Sequence, residues 1–432
     1  MNMGKYFKLL LIFCAVVGVA AATAPTYRHP GFVLWGTDID ANNNNITNIQ
    51  NLTTHSGKEL QNPELGASYI IFTDGVTIYA KNGSTGKIEY DGTDFGDVIN
   101  NIISDSVMIQ VTSGIFNSKT AIVVTNNSCI QGVGASTVVN VTSAVDAFSC
   151  HGITDFKIKD MKIDGNDVGI VGINISSDVT QNIVDSFAFE NLHIIGFTDG
   201  VRLDNSIVGC RFFNILSELN SEDGFDIEGS DHTFVSCESR TNDAEGWYLK
   251  GTAQTMVSCI GAGNGLNGLN VEAQDSTIVA GYFDRNDRHG VYLGGHNNTL
   301  IGGHMYYNNK STSYDYGCGI SISGDDIRVI SPRVGRPPEG SDTNTQQFNI
   351  YASSGASNVI IESPILCSAG SQYGNYQFDS NSVFMYNAIG ESPFDFGNRA
   401  SAPSPYGEGD SYYNTNDHKK YVYNGTAWNA LW

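Results

Sequence analysis

Basic residues are scarce in this 432-residue chain: 23 Lys and Arg stand against 45 Asp and Glu, a formal net charge of −22. Nucleic acid is thereby excluded as a partner, because phosphates need a basic face. Unassisted binding of a polyanionic glycan is disfavoured for the same reason, so a polyuronate would need bridging Ca²⁺ or a locally basic strip. No long apolar run follows residue 24, so the mature chain is expected to lack a membrane span. No Cys-x-x-Cys pair or His cluster has zinc spacing, and no metal ligands are assigned. No heptad repeat supports a coiled coil, so a homotrimer is left open without one. Charged residues make up only 16% of the chain, and 10 prolines sit among 48 glycines, the balance of an all-β, turn-rich molecule.

What is present begins with a targeting signal. Lys5 and Lys8 precede an apolar run from Leu9 that ends in the small residues GVAAATA, which reads as a secretory signal peptide over residues 1–24. Phe13 before Cys14 is too bulky for a lipoprotein site. Export permits disulfides among the remaining cysteines. Cys210, Cys237 and Cys259 instead fall at equivalent repeat positions, where stacked strands would point their Cβ atoms the same way, so a ladder of buried thiols is expected.

The repeat is the most informative feature. Gly, apolar, any, apolar recurs at Gly172, Gly200, Gly224, Gly246, Gly268, Gly290 and Gly319, spaced 28, 24, 22, 22, 22 and 29 residues apart. A second phrase starts at Thr233, Thr255, Thr277 and Thr299, and a third register is Asn242, Asn264, Asn286 and Asn308. Apolar residues alternate over three to five positions between Gly, Asn, Asp and Ser, which is strand and turn language rather than helical spacing. One such coil cannot fold alone: ordering 22 residues costs roughly 1–2 kcal/mol each, while its few buried aliphatics return roughly 1.5–3 kcal/mol apiece. Coils must therefore stack and share one core, with Asn tolerating a left-handed turn and bonding its counterpart about 4.8 Å away.

Ahead of the repeat, Thr93–Ser104 places Phe95, Val98, Ile99, Ile102 and Ile103 on one helical face, with Thr93 or Asp94 as cap. Such a helix can cover the open end of a stack. With VMIQVTSGIF, IQGVGAST and MKIDGN following it, the chain from about Asp94 to Ser392 resembles the pectate-lyase-like superfamily of right-handed β-helix proteins. That resemblance implies a right-handed, single-stranded parallel β-helix of roughly a dozen coils. It leaves activity open, since the superfamily includes polysaccharide lyases, glycoside hydrolases, epimerases and viral tail-spike bodies.

The flanks differ in character. Gly36–Leu52, GTDIDANNNNITNIQNL, resembles short modules of viral tail fibres and archaeal surface proteins, and Ser68–Gly92 reads as a small antiparallel meander. After the linker RASAPSPYGEGD, two Tyr-rich strands and an Asn424-Gly425 turn signal resemble a C-terminal module of tail fibres and spikes. The expected organisation is a signal peptide at 1–24, a fibre-like segment and meander at 25–92, the β-helix at 93–392, a linker at 393–409 and a hairpin module at 410–432.

In each Gly phrase the residues two and four after Gly should point outward. The two columns are Asn174, Arg202, Asp226, Tyr248, Asn270, Tyr292 and Ser321, beside Ser176, Asp204, Glu228, Lys250, Glu272, Gly294 and Ser323. Asp226 and Glu228 lie about 6.7 Å apart along one strand, and Asp204 about 4.8 Å from Glu228, separations that suit paired catalytic carboxylates in glycoside hydrolysis. Arg202, Tyr248, Lys250, Asn270, Glu272 and Tyr292 are then the candidate substrate-binding residues. Equally, outward positions must be polar in any such stack, and alternating acids and bases are ordinary cross-strand pairing.

Elsewhere, His289 in RNDRHGV reads as a surface turn histidine, and Asp160, Asp164 and Asp167 as turn residues before they read as Ca²⁺ ligands. Asp325-Asp326 lacks the Asn-Thr-Asp, Gly-His-Gly and Arg-Ile-Lys phrases that polygalacturonase-like catalysis requires. The resulting expectation is an extracellular or cell- or virion-surface protein that binds a polysaccharide or cell-surface glycan in attachment, with no obligate cofactor. A secreted polysaccharide lyase or glycoside hydrolase, and a cell-envelope or filament subunit, remain the alternatives.

Overall fold

The computed structural model describes residues 66–177, 183–184, 187–309, 317–336, 346–368, 371–380, 382–386, 388–390, 395–399, 411–414, 419–423 and 426–430. The signal peptide, the fibre-like Gly36–Leu52 segment and the Asn424-Gly425 turn lie outside these residues.

The chain is a parallel β-solenoid whose coils form three faces. Face A comprises Phe148–His151, the ends of Lys157–Ser176 and Ala188–Leu203, then Phe225–Ile227, Trp247–Leu249, Leu269–Val271, Val291–Leu293, Cys318–Ile322 and Gln346–Ala352. Face B carries the threonine phrase in Thr233–Val235, Thr255–Val257, Thr277–Val279 and Thr299–Ile301. Face C comprises Glu238–Arg240, Ile260–Ala262, Tyr282–Asp284, His304–Tyr306 and Arg333–Arg336. Trp247 lies beside Leu269, and Leu269 beside Val291, so the 22-residue period in sequence is one rung in space.

Each corner is a bend at single residues of left-handed backbone. Between faces C and A these are Leu219, Thr241, Gly263, Arg285 and Tyr307, with φ of 54°, 53°, 71°, 53° and 53°. The bend therefore falls one residue before the asparagine, which corrects the expectation that Asn supplies the left-handed turn. A bulky residue in that conformation is strained by roughly 1–2 kcal/mol. What the asparagines supply is the ladder. Asn220, Asn242, Asn264, Asn286 and Asn308 are buried, and each of the first four donates its Nδ2 to the Oδ1 of the next at 2.8, 3.0, 3.0 and 2.9 Å. Each also gives its backbone N–H to that same oxygen, and Gln346 takes over beyond Asn308.

The glycine that follows is there for room rather than for backbone freedom. A Cβ on Gly246 would lie 2.5 Å from Asn264 Nδ2 and 2.6 Å from the Gly268 carbonyl oxygen. Amide ladder and glycine column thus occupy one space.

Inside, side chains stack in rows. Phe189, Phe212 and Phe234 lie ring on ring with centroids 4.9 Å apart, and Trp247 stacks on Phe225 at 3.8 Å. Cys210, Cys237 and Cys259 are buried in the same interior, but only Cys237 and Cys259 stand on adjacent rungs of one column; Cys210 is in register with His232, which corrects the expected three-rung thiol ladder. The helix Phe95–Ile102 buries Phe95, Val98, Ile99 and Ile102. Its cap is Asp94, which accepts from Gly96 N–H and also ties the helix to the early coils through Lys119 N–H and Thr120 Oγ1. The meander Tyr69–Thr73, Ile78–Asn82 and Ile88–Gly92 is antiparallel, and its first strand joins face B by pairing parallel to Met108–Val111. Beyond the solenoid, Asp395–Arg399, Ser411–Asn414, Lys419–Tyr423 and Trp428–Ala430 form a separate four-stranded sheet.

Candidate functional site

Face A alternates as its residues dictate. Val201, Leu203, Phe225, Ile227, Trp247 and Leu249 are buried, and between them Asn174, Arg202, Asp226, Tyr248, Asn270, Tyr292 and Ser321 lie in one register column. Two members of this column are not open to solvent. Asn270 is 9% exposed and Ser321 4%, so the open part of the strip is centred on Arg202, Asp226 and Tyr248.

The strip is a set of interlocked pairs. Arg202 bridges Asp199 and Asp226, with its Nε 3.7 Å from Asp226 Oδ2. Lys250 Nζ lies 3.2 Å from Glu228 Oε1 and 4.2 Å from the centre of the Tyr248 ring, a cation–π contact. The Tyr248 hydroxyl donates to Glu272 Oε2 at 2.9 Å, and Tyr292 meets Ser323 Oγ at 2.6 Å. Asp204 is committed to turns: its carboxylate accepts from Ser177 N–H, Ser206 N–H and Ser206 Oγ. The carboxyl left closest to functional chemistry is Asp226. Burial and the nearby Asp199 push its pKa up, against the pull of Arg202 and Lys250, and its Oδ1 is buried without a hydrogen-bond partner among the described residues.

A second polar ladder underlies the strip, and the sequence reading passed over it. The residue immediately before each glycine, Asp199, Asp223, Glu245, Asn267 and His289, accepts a hydrogen bond from the backbone N–H of its counterpart one rung on, and His289 from Cys318 N–H. The distances are 3.0, 2.8, 2.7, 3.1 and 3.1 Å. Since His289 accepts through Nδ1, its ring proton is on Nε2. This residue is 3% exposed, with its pKa pushed down to about 3 by burial and by Arg288. The expectation of a surface turn histidine is therefore corrected: the imidazole fills an acceptor position in the corner, where charging would remove the acceptor.

Two acids of this ladder, Asp223 and Glu245, are perturbed in the opposite sense. Burial raises Asp223 to about 7, reinforced by Glu245, Asp199 and Asp226. Burial likewise raises Glu245 to about 7, against donors from Asn267 and Asn270. Asp199, Asp226 and Glu245 thus surround Asp223 at the start of the strip, with Arg202 paired to the first two, and Asp223 and Glu245 titrate near neutrality. The signal that could have found them was the residue before each repeated glycine, where acids, amide and imidazole all serve as acceptors.

A cleft of about 530 Å³ runs along the corner between faces C and A, lined by Asp167, Phe197, Thr198, Leu219, Ser221 and Asp243 among others. It lies beside the ladder rather than over Asp226 or Glu228. No group of His, Cys, Asp or Glu among the described residues has the arrangement of a metal site. Asp160 accepts from Gln131 and Asn191, and Asp164 pairs with Lys162 at 2.8 Å. No helix among the described residues is long and apolar enough to cross a membrane.

No protein-family model and no curated protein matches the chain. Solved structures do. The A-module of the mannuronan C-5 epimerase AlgE4 from Azotobacter vinelandii superposes with a TM-score of 0.58 at 15% identity, covering 74% of this chain and 92% of that one. The AlgE6 A-module of the same organism gives 0.51 at 12% identity, covering 69% and 96%. Tailspike protein 2 of the Escherichia coli O157:H7 bacteriophage CAB120 gives 0.52 at 12% identity, covering 65% of this chain and 43% of the tailspike. At these identities the likeness is one of fold, a β-helix shared with alginate epimerases and tailspikes.

Proposed function

We propose that the protein is an exported surface protein that binds a glycan along face A, in attachment to a cell or another surface. The observation that carries this reading is the grouping of Arg202, Asp226, Glu228, Tyr248 and Lys250 on adjacent rungs. These are charged hydrogen-bonding groups beside a half-buried ring, the combination that holds sugar hydroxyls and a pyranose face. The superposed structures, two mannuronan epimerase modules and a tailspike, support a polysaccharide as the ligand class. The test is a glycan array probed with the chain lacking residues 1–24, followed by Tyr248→Ala and Arg202→Gln. Binding that both variants weaken is expected; no bound glycan, or binding indifferent to both, overturns the reading.

One observation favours an enzyme instead: a raised Asp226 carboxyl lies two residues from Glu228, the partner of Lys250. On that reading Asp226 is the proton donor in glycoside cleavage. Release of products from a polysaccharide panel, abolished in Asp226→Asn, would establish it; binding retained without product supports the attachment role.

A further inference from the structure

Face C carries a feature at odds with the charge of the chain. On rungs Tyr282–Asp284, His304–Tyr306 and Arg333–Arg336, exposed Arg285, Arg333 and His304 surround tyrosines in a molecule of net charge −22. The nearest carboxylate in this patch, Asp284, is buried and paired to Arg285. The outward residues of the rung below are Ile260 and Ala262, and those of the rung above are Ile365 and Cys367, so among the described residues neither adjacent rung of face C brings an acid to the cations.

The rings form a continuous surface. His304 lies 5.8 Å from Tyr282 and 5.2 Å from Tyr306, Tyr282 meets Tyr306 edge-on at 6.1 Å, and Tyr306 meets Tyr307 at 6.4 Å. Tyr306 and Tyr307 are each only 5% exposed and make the floor. Arg285 lies over the Tyr307 ring at 5.3 Å, and Arg333 stands two rungs above Tyr282, about 9.6 Å along the axis.

We infer that this patch is a second ligand site, separate from the face A strip, that takes a carboxylate-bearing sugar with its carboxylate on Arg333 and its pyranose ring against His304 and Tyr282. A guanidinium matches a carboxylate in bidentate fashion, and aromatic edges and faces suit the apolar side of a sugar. Burial and the proximity of Arg333 lower the His304 pKa, so at neutral pH its imidazole is neutral and offers a donor and an acceptor to hydroxyls. A nucleic acid is a poorer fit, because two cations are too few to offset the acidic surroundings. The carboxylated sugar can come from inside a uronate polymer or from a sialylated chain end.

Calorimetric titration of the full chain with tetragalacturonate and, separately, with sialyllactose distinguishes these two sources, with galactotetraose as the uncharged control. At least one acidic probe is expected to bind, and Arg333→Gln should weaken it roughly ten- to a hundred-fold, the loss of a charge-assisted bond. His304→Ala should weaken it less, while Tyr248→Ala on face A should leave it unchanged. Arg333 and His304 are exposed, and a near-native circular dichroism spectrum and unfolding midpoint confirm the fold in each variant. Failure of both acidic probes to bind, galactotetraose binding as well as either, or affinity indifferent to Arg333→Gln overturns the inference. Loss of binding in Tyr248→Ala but not in Arg333→Gln would assign the sugar to face A instead.

Discussion

Replacing Asp223 by Asn should stabilise the protein at pH 8 far more than at pH 5. In the fold the Asp223 carboxyl is raised to about 7 from 3.8, chiefly by burial. Such a group binds its proton more tightly folded than unfolded, so stability is fully present below the unfolded pKa and falls as pH rises towards 7. At about 1.4 kcal/mol per pKa unit, the penalty carried by wild type grows by roughly 2–3 kcal/mol between pH 5 and pH 8. Asn removes the titration without removing the bond, because Asn267 already fills the equivalent position two rungs on and accepts from His289 N–H through its Oδ1. Urea unfolding of wild type and Asp223→Asn at both pH values measures the difference. A stability gap constant between pH 5 and pH 8 would refute the account of a buried, proton-retaining carboxyl.

Asn264→Ala should destabilise by roughly 3–6 kcal/mol, because Asn242 N–H and Nδ2 lose a buried acceptor and Asn286 Oδ1 loses a donor; the urea midpoint reports it. Gly246→Ala drives a methyl into the Asn264 amide and should cost roughly 1–3 kcal/mol. In the double variant the two losses should fall short of their sum, since the clash with the amide is gone and only that with the Gly268 carbonyl oxygen remains. Below pH 6.5 the neutral, buried His289 and His232, held near 3 and 4, should withdraw stability as the unfolded chain takes up protons. His289→Gln, which keeps an acceptor, should shift the acid unfolding midpoint downward. Finally, alkylation of the native protein should leave Cys150, Cys210, Cys237, Cys259 and Cys318 unmodified, and denaturant without reductant should expose all five; a requirement for reductant would contradict free thiols.

The stack itself was legible because its information is periodic. Glycine, asparagine and threonine recur at fixed intervals, and for the first two the cause is a space and a bond, as Gly246 shows against Asn264. Outward columns followed from strand alternation, and their register agrees rung by rung. The buried acceptor ladder escaped notice because its requirement is chemical rather than alphabetical: Asp199, Asp223, Glu245, Asn267 and His289 differ in letter and share only an acceptor atom. His289 was misplaced for that reason. The aromatic patch on face C was equally invisible, since Tyr282, His304 and Arg333 stand in register without resembling one another, and the interval between the last two is 29 residues rather than 22. The left-handed bends were assigned to Asn on intrinsic tolerance, whereas the ladder fixes Asn in place and leaves Thr241, Arg285 and Tyr307 to turn.

Because every amide from Asn220 to Asn308 hands on to the next at the same 22-residue step, the molecule's length is a discrete variable, uncoupled from its local chemistry. Excising residues 264–285 would set Asn286 on Asn242 and Tyr292 on Tyr248, closing the seam again about 4.8 Å shorter. Duplicating the same segment would lengthen it by one increment. A short stretch of coding sequence, copied or lost as one rung, therefore changes the reach of such a molecule by a fixed step and carries with it that rung's outward side chains, here Asn270, Glu272, Tyr282 and Arg285.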